Sequence, residues 1–168
     1  LLFDGDGGLI RTFGRAGDGP GEFDRPRQLL RLPGGSIGVL DVSPRLTQLS
    51  HELDLQAVHA FPPEFIFASD AVWFDDRLFV APVGSVSALD PTDRGFGVNL
   101  VEWSPDAGVG DRLDPVNPLA WEVPYWNAAW AVRTAGSSDH LFVAESMVYP
   151  IRRYDSVSGT ADSVGTPP

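Results

Sequence analysis

The chain has 168 residues, a formal net charge of −11, no cysteine, 18 glycines and 15 prolines. The absence of cysteine excludes disulfides and thiolate metal sites, and so large a negative charge repels a phosphate backbone, so nucleic acid is not an expected partner. No apolar run approaches the roughly 18 residues a helical membrane span needs.

The first predicted element is a hairpin. Leu1-Leu2-Phe3-Asp4 turns at Gly8 into Leu9-Ile10-Arg11-Thr12-Phe13-Gly14. It reads as the last two strands of a longer unit, so the chain is expected to be a fragment that opens in mid-pattern. The acids of Asp4-Gly5-Asp6-Gly7-Gly8 suggest calcium, but an EF-hand loop needs a bidentate Glu at its twelfth position, where Arg15 stands. A hairpin turn is the expectation there. The glycine-rich stretch Gly17-Asp18-Gly19-Pro20-Gly21 resembles a phosphate cradle only superficially. Such a cradle lies between a strand and a helix N-terminus, whereas Pro20 and Pro26 interrupt this one and no helical period follows.

Three units follow, at about 26–61, 65–114 and 127–165. Their first strands are predicted at Gln28–Leu32, Ala71–Phe74 and Ala129–Arg133, each closed by a polar turn such as Pro33-Gly34-Gly35-Ser36 or Gly136-Ser137-Ser138-Asp139. A second strand repeats as Ile37-Gly38-Val39-Leu40-Asp41, Leu78-Phe79-Val80-Ala81-Pro82 and Leu141-Phe142-Val143-Ala144-Glu145. Continuous apolar runs of this kind suit strands covered on both faces. The closing hairpins share a register in which Phe3, Leu49, Trp103 and Tyr154 fill one inward slot. The turn falls at Gly8, Asp54, Gly108 and Gly159, where a positive φ is expected. Repetition at this period in an all-β chain predicts a β-propeller of four-stranded antiparallel blades, here a partial ring of about three and a half blades.

The residues Gly17-Asp18-Gly19-Pro20-Gly21-Glu22-Phe23-Asp24-Arg25-Pro26, then Gly35-Ser36-Ile37-Gly38-Val39-Leu40-Asp41 and Arg45, resemble the NHL repeat, whose pattern runs G-x-G-P-G-x-F-x-x-P, G-x-I-x-V-x-D and an Arg opening the next strand. The third unit is similar in its later half, with Glu145 in the acid slot and Ile151-Arg152-Arg153-Tyr154-Asp155 after it. The resemblance implies a six-bladed propeller, often exported and hence extracytoplasmic. Two departures stand out: Pro44 lies near the place of the usual Asn, and Pro82 replaces the acid in the second unit, which predicts an irregular loop there.

Asp41 with Arg45, and Glu145 with Arg152 or Arg153, recur at equivalent positions and are expected to be structural pairs that fix a loop to a strand rather than catalytic groups. Asp90 and Asp93 flank Pro91 and Thr92 as turn residues do. The histidines His51, His59 and His140 are scattered, with no metal-pair spacing. The candidate ligand-binding segment runs from Asp114 through Asn117 to Trp121, Tyr125 and Trp126. It lengthens a connection and concentrates aromatics there, as binding surfaces do. A second insertion, Val83 to Phe96, is expected to shape the same surface. The leading expectation is a non-catalytic binding module of unknown ligand, with no cofactor or metal assigned. The alternatives are a metal-dependent hydrolase or lyase completed by further blades, and a protein–protein scaffold. Uncovered blade edges predict association of an isolated partial ring.

Overall fold

The computed structural model describes residues 1–63, 65–84, 100–113, 132–136, 139–145, 148–158 and 161–164. In chain order the strands are β1 (Leu2–Phe3), β2 (Leu9–Arg11), β3 (Arg15–Ala16), β4 (Glu22–Phe23), β5 (Pro26–Arg31), β6 (Ile37–Asp41), β7 (Arg45–Leu49) and β8 (Leu55–Ala60). They continue as β9 (Phe65–Phe74), β10 (Arg77–Gly84), β11 (Val101–Ser104), β12 (Gly108–Arg112), β13 (Val132–Gly136), β14 (His140–Glu145), β15 (Val148–Asp155) and β16 (Ala161–Val164). A single 3-10 turn, Pro33–Gly35, is the one helical element among the described residues.

The protein is all-β. β5–β8, β9–β12 and β13–β16 each form an open four-stranded antiparallel sheet with neighbours in chain order, while β1–β2 form an antiparallel pair and β3–β4 a short parallel one. The side-chain alternation of strands dictates how these sheets stack. In the middle sheet Ala71, Leu78, Val80 and Trp103 point one way, into a cluster with Leu30, Leu40, Leu46 and Phe61 of the first sheet. The residues between them, Val72, Phe74, Phe79 and Ala81, point the other way, onto Leu141, Val143 and Tyr154 of the third sheet. A third cluster joins Val39, Leu49 and Leu53 to Leu2, Phe13 and Phe23. The continuous apolar runs of β6 and β10 are therefore buried on both faces. In β14 Leu141 and Val143 are buried but Phe142 is 39% exposed, because one face of the third sheet meets the second and its other face has no sheet among the described residues.

Three expectations are corrected. Phe3 is half exposed, unlike Leu49, Trp103 and Tyr154 in the same slot, because the β1–β2 pair has no sheet packed on that side among the described residues. The left-handed turn residue is Gly7 (φ 85°) and Leu53 (φ 65°), one place before Gly8 and Asp54; at Gly108 (φ 77°) it falls where expected. The capping side chains explain the shift. Asp4 accepts from the Gly8 N–H and Ser50 from the Asp54 N–H, whereas Ser104 accepts from the Ala107 N–H, one residue nearer. Third, the second strand of the middle sheet does not end at Pro82. β10 runs on to Gly84, paired with Phe65 at the start of β9, past a bulge where Asp70 pairs with Ala81 and Ala68 with Pro82. The first sheet has the same irregularity, where Gln28 pairs with Leu40 and Pro26 with Asp41. β13 extends to Gly136, into the turn expected there, and residues 129–131 lie outside the described residues.

Candidate functional site

The residues of the glycine-rich 17–25 segment assemble with Asp41 and Arg45 at the end of β6. Asp41 is fully buried and its carboxylate accepts hydrogen bonds from the N–H groups of Asp24 (2.9 Å), Arg25 (2.8 Å) and Val42 (2.7 Å). Burial alone would raise its pKa. The three N–H groups and the Arg45 guanidinium, 3.3 Å away, outweigh that and hold the carboxyl below its ordinary value. Arg45 also donates to the carbonyls of Asp18 (2.5 Å), Gly17 (3.2 Å) and Glu22 (2.8 Å). Two side chains at the β6–β7 bend thus hold both halves of the 17–25 loop.

The loop closes on itself as well. Gly17 N–H donates to the Phe23 carbonyl, Glu22 N–H to the Gly19 carbonyl, and Gly19 N–H to the Glu22 carboxylate. That last bond, together with Arg15, lowers the pKa of Glu22. The Gly17, Gly19, Glu22, Asp24 and Arg25 N–H groups are all taken by the protein, so they do not form a phosphate cradle. Gly14 fits only as glycine: its φ is 87°, and a Cβ would lie 2.5 Å from the Phe23 ring.

The second expected pair is placed by backbone alone. Glu145 ends β14 opposite Val132 and Val148, and Arg152 lies in β15 between Val143 and Ser163; their side chains lie outside the described residues. Arg153, the other candidate for Glu145, instead forks onto Asp162 of β16. Asp4 forms the expected turn, its carboxylate accepting from the Asp6 and Gly8 N–H groups. No group of three or more His, Asp or Glu among the described residues is arranged to hold a metal ion. His51 is exposed in a hairpin, His140 lies 3.5 Å from Asp155, and His59 meets Trp103 edge-on at 6.4 Å.

Asp114, Asn117, Trp121, Tyr125 and Trp126 lie outside the described residues, as do Asp90 and Asp93. The strands that carry the two long connections are described, however. In a four-stranded antiparallel sheet the link from second to third strand and the link to the next sheet leave from the same end. Gly84 and Val101 flank one long connection, and Leu113 and Val132 the other, so both depart from the end where Asp41 and Arg45 hold their loop. The hairpin turns at 32–36, 75–76, 50–54 and 104–107 occupy the opposite end.

Two residues carry a contact that sequence reasoning passed over. Gln28 of β5 reaches the middle sheet, donating to the Ala71 carbonyl (2.8 Å) and accepting from the Ala71 N–H (2.7 Å). An amide side chain mimics a strand here and clasps the first strands of neighbouring sheets. In the strand registers the counterpart of Gln28 in β9 is Asp70, which is 4% exposed. β9 itself packs between β5 and β13.

Two clefts open between layers. One of about 520 Å³, lined by Leu2, Phe13, Phe23, Val39 and Leu49, separates the β1–β2 pair from the first sheet. The other, about 340 Å³, lies between the first and second sheets at the hairpin end.

No family model matches the chain, and no curated protein does. Among solved structures, a candidate exported protein of Bacteroides fragilis aligns with a TM-score of 0.43 and 10% identity, over 96% of this chain and 64% of that one. This chain thus spans less than two thirds of that protein. No helix among the described residues is long and apolar enough to cross a membrane.

Proposed function

We propose that this chain is an arc of an NHL-like β-propeller that serves as a non-catalytic, exported binding module. Its ligand is taken at the end of the sheets that carries the long connections, with Trp121, Tyr125 and Trp126 as contact residues and Asp114 and Asn117 as polar partners. The arc reading is supported by three four-stranded sheets stacked in chain order, with β9 between β5 and β13. The observation that carries the binding reading is the departure of both long connections, 85–99 and 114–131, from one end of the stack. Rigid strands supply the platform and the connections supply variable contact groups. Trp and Tyr give large contact area at small entropic cost.

The test uses the full protein, screened against soluble glycans, peptides and small metabolites, with Trp121→Ala and Trp126→Ala compared with the parent. Loss of binding with unfolding free energy within about 1 kcal/mol of the parent supports the reading. Destabilisation by about 3–5 kcal/mol with binding retained makes the tryptophans core residues and overturns it.

A further inference from the structure

The cleft between the first and second sheets lies at the hairpin end, opposite the proposed ligand face. Its walls are set by strand alternation. Leu46 of β7 faces the middle sheet, so Gln48, two residues on, faces the same way, and His59 of β8 pairs with Leu46 and shares that face. Across the gap stand Trp103, against which His59 packs edge-on, and Trp73, which is only partly buried. The repeat does not ask for an aromatic at Trp73. The same register position holds an exposed Arg31 in the first sheet and Gly136 in the third.

Two polar groups of this cleft are unspent. Among the described residues the Gln48 amide and the His59 imidazole make no hydrogen bond, although both face a partly enclosed space. Arg77, at the edge, is occupied by Asp75 (3.1 Å) and Glu102 (3.5 Å) and lies over the Phe79 ring on the other face of the sheet. Asp76 adds an exposed carboxylate at the rim.

We propose that this cleft is a second binding site, for a neutral polyhydroxylated ligand such as one sugar unit of a glycan. The amide of Gln48 both donates and accepts, the imidazole of His59 offers its ring nitrogens as further partners, and a hydroxyl likewise donates and accepts; a simple anion or cation would use only half of the amide's capacity. The indole of Trp73 supplies an apolar wall for the C–H face of such a ring. The volume of about 340 Å³ lies at the small end of the range for ligand sites, about 300–1,000 Å³.

The experiment titrates the isotope-labelled full protein with the methyl glycosides of glucose, galactose, mannose and N-acetylglucosamine, and with choline, and follows the indole N–H signals of the five tryptophans. The expected result is saturable shifts at Trp73 and Trp103 with at least one glycoside, weakened about tenfold or more in Gln48→Leu and in His59→Ala, as the loss of one or two hydrogen bonds requires. Neither variant breaks a hydrogen bond within the protein; Gln48→Leu is expected to melt close to the parent, and His59→Ala, which also loses the edge-on contact with Trp103, slightly below it. No saturable shift with any glycoside overturns the proposal. So does a response to choline alone, which would mark a cation site, or a shift confined to Trp121 and Trp126, which would assign the sugar to the opposite face. Glycoside binding undiminished in both variants also overturns it.

Discussion

The first and second sheets carry the same second strand and end it differently. In the first sheet β6 stops at Asp41, whose carboxylate collects the N–H groups of Asp24, Arg25 and Val42 and leans on Arg45. In the second, Pro82 stands in that slot, and the strand runs on to Gly84, with β9 lengthened back to Phe65 to meet it. Both sheets bulge at this register, through Arg27 in β5 and Ser69 in β9. A buried carboxylate at the strand end attracts N–H donors from the preceding loop and bends the chain away. Proline offers no acceptor side chain to hold a loop there, and the ladder continues past it to Gly84. The strand that ends in the acid stops at the loop it holds, and the strand that has proline there extends.

The largest effect comes from breaking the first version. Asp41→Ala leaves the Asp24 and Arg25 N–H groups without this acceptor, takes one of two acceptors from the Val42 N–H and removes the counter-charge of the largely buried Arg45 guanidinium. It is expected to destabilise the protein by about 3–5 kcal/mol in denaturant unfolding. Pro82→Ala, in a slot that accepts nothing from a loop, is expected to stay within about 1 kcal/mol. Equal losses would show that the two slots do the same work.

The carboxyl also titrates. Its folded pKa lies below its unfolded value, so the folded state binds fewer protons than the unfolded one as pH falls. The stability it gives is fully present above the unfolded pKa of about 3.9 and is lost as pH drops through the lower, folded value. Asp41→Asn is expected to flatten the acid limb of a stability–pH curve. An unchanged limb would assign acid sensitivity to other groups, Glu22 and Asp155 among them, whose pKa values are also lowered.

How much of this was legible in the sequence follows from the range of each interaction. The strand positions, the inward slot of Leu49, Trp103 and Tyr154, and the pairing of Asp41 with Arg45 are written in short-range patterns. The local period shows them directly. At Pro82 an irregular loop was expected and a strand continues instead, because Phe65, seventeen residues upstream of Pro82, starts β9 early enough to pair with Gly84. The clasp of Gln28 on Ala71 was invisible for the same reason: a polar residue in an apolar strand gives no hint of which backbone it meets in another sheet. The free amide of Gln48 becomes meaningful only when the neighbouring sheet brings Trp73 and Trp103 opposite it.

That clasp sharpens the comparison between sheets at their first strands. Gln28→Leu keeps the volume and removes both bonds to the Ala71 backbone. The Ala71 carbonyl then loses the partner Gln28 gives it, while its N–H keeps the Asp70 carboxylate at 3.1 Å. The expected loss is about 1–3 kcal/mol. It should appear as faster hydrogen exchange in β5 and β9 and leave the β14–β15 ladder unchanged; uniform loosening of all three sheets would contradict a local clasp.

The smallest effects separate two hairpins that look alike in sequence. Leu53 holds a left-handed φ of 65° while its side chain is buried, at 8% exposure, with Val39 and Leu49. The strain of roughly 1–2 kcal/mol for a non-glycine residue there is offset by burial of a leucine, about 2–3 kcal/mol. Leu53→Gly relieves the first and forfeits the second, and is expected to destabilise by about 1 kcal/mol. Gly108 has the same hand of φ, but a Cβ there meets nothing within 4 Å. Gly108→Ala therefore shows the strain alone, about 1 kcal/mol, with no packing change to offset it. If Leu53→Gly instead stabilises the protein, the leucine contributes no core, and the turn at 50–54 is held by Ser50 accepting from the Glu52 and Asp54 N–H groups.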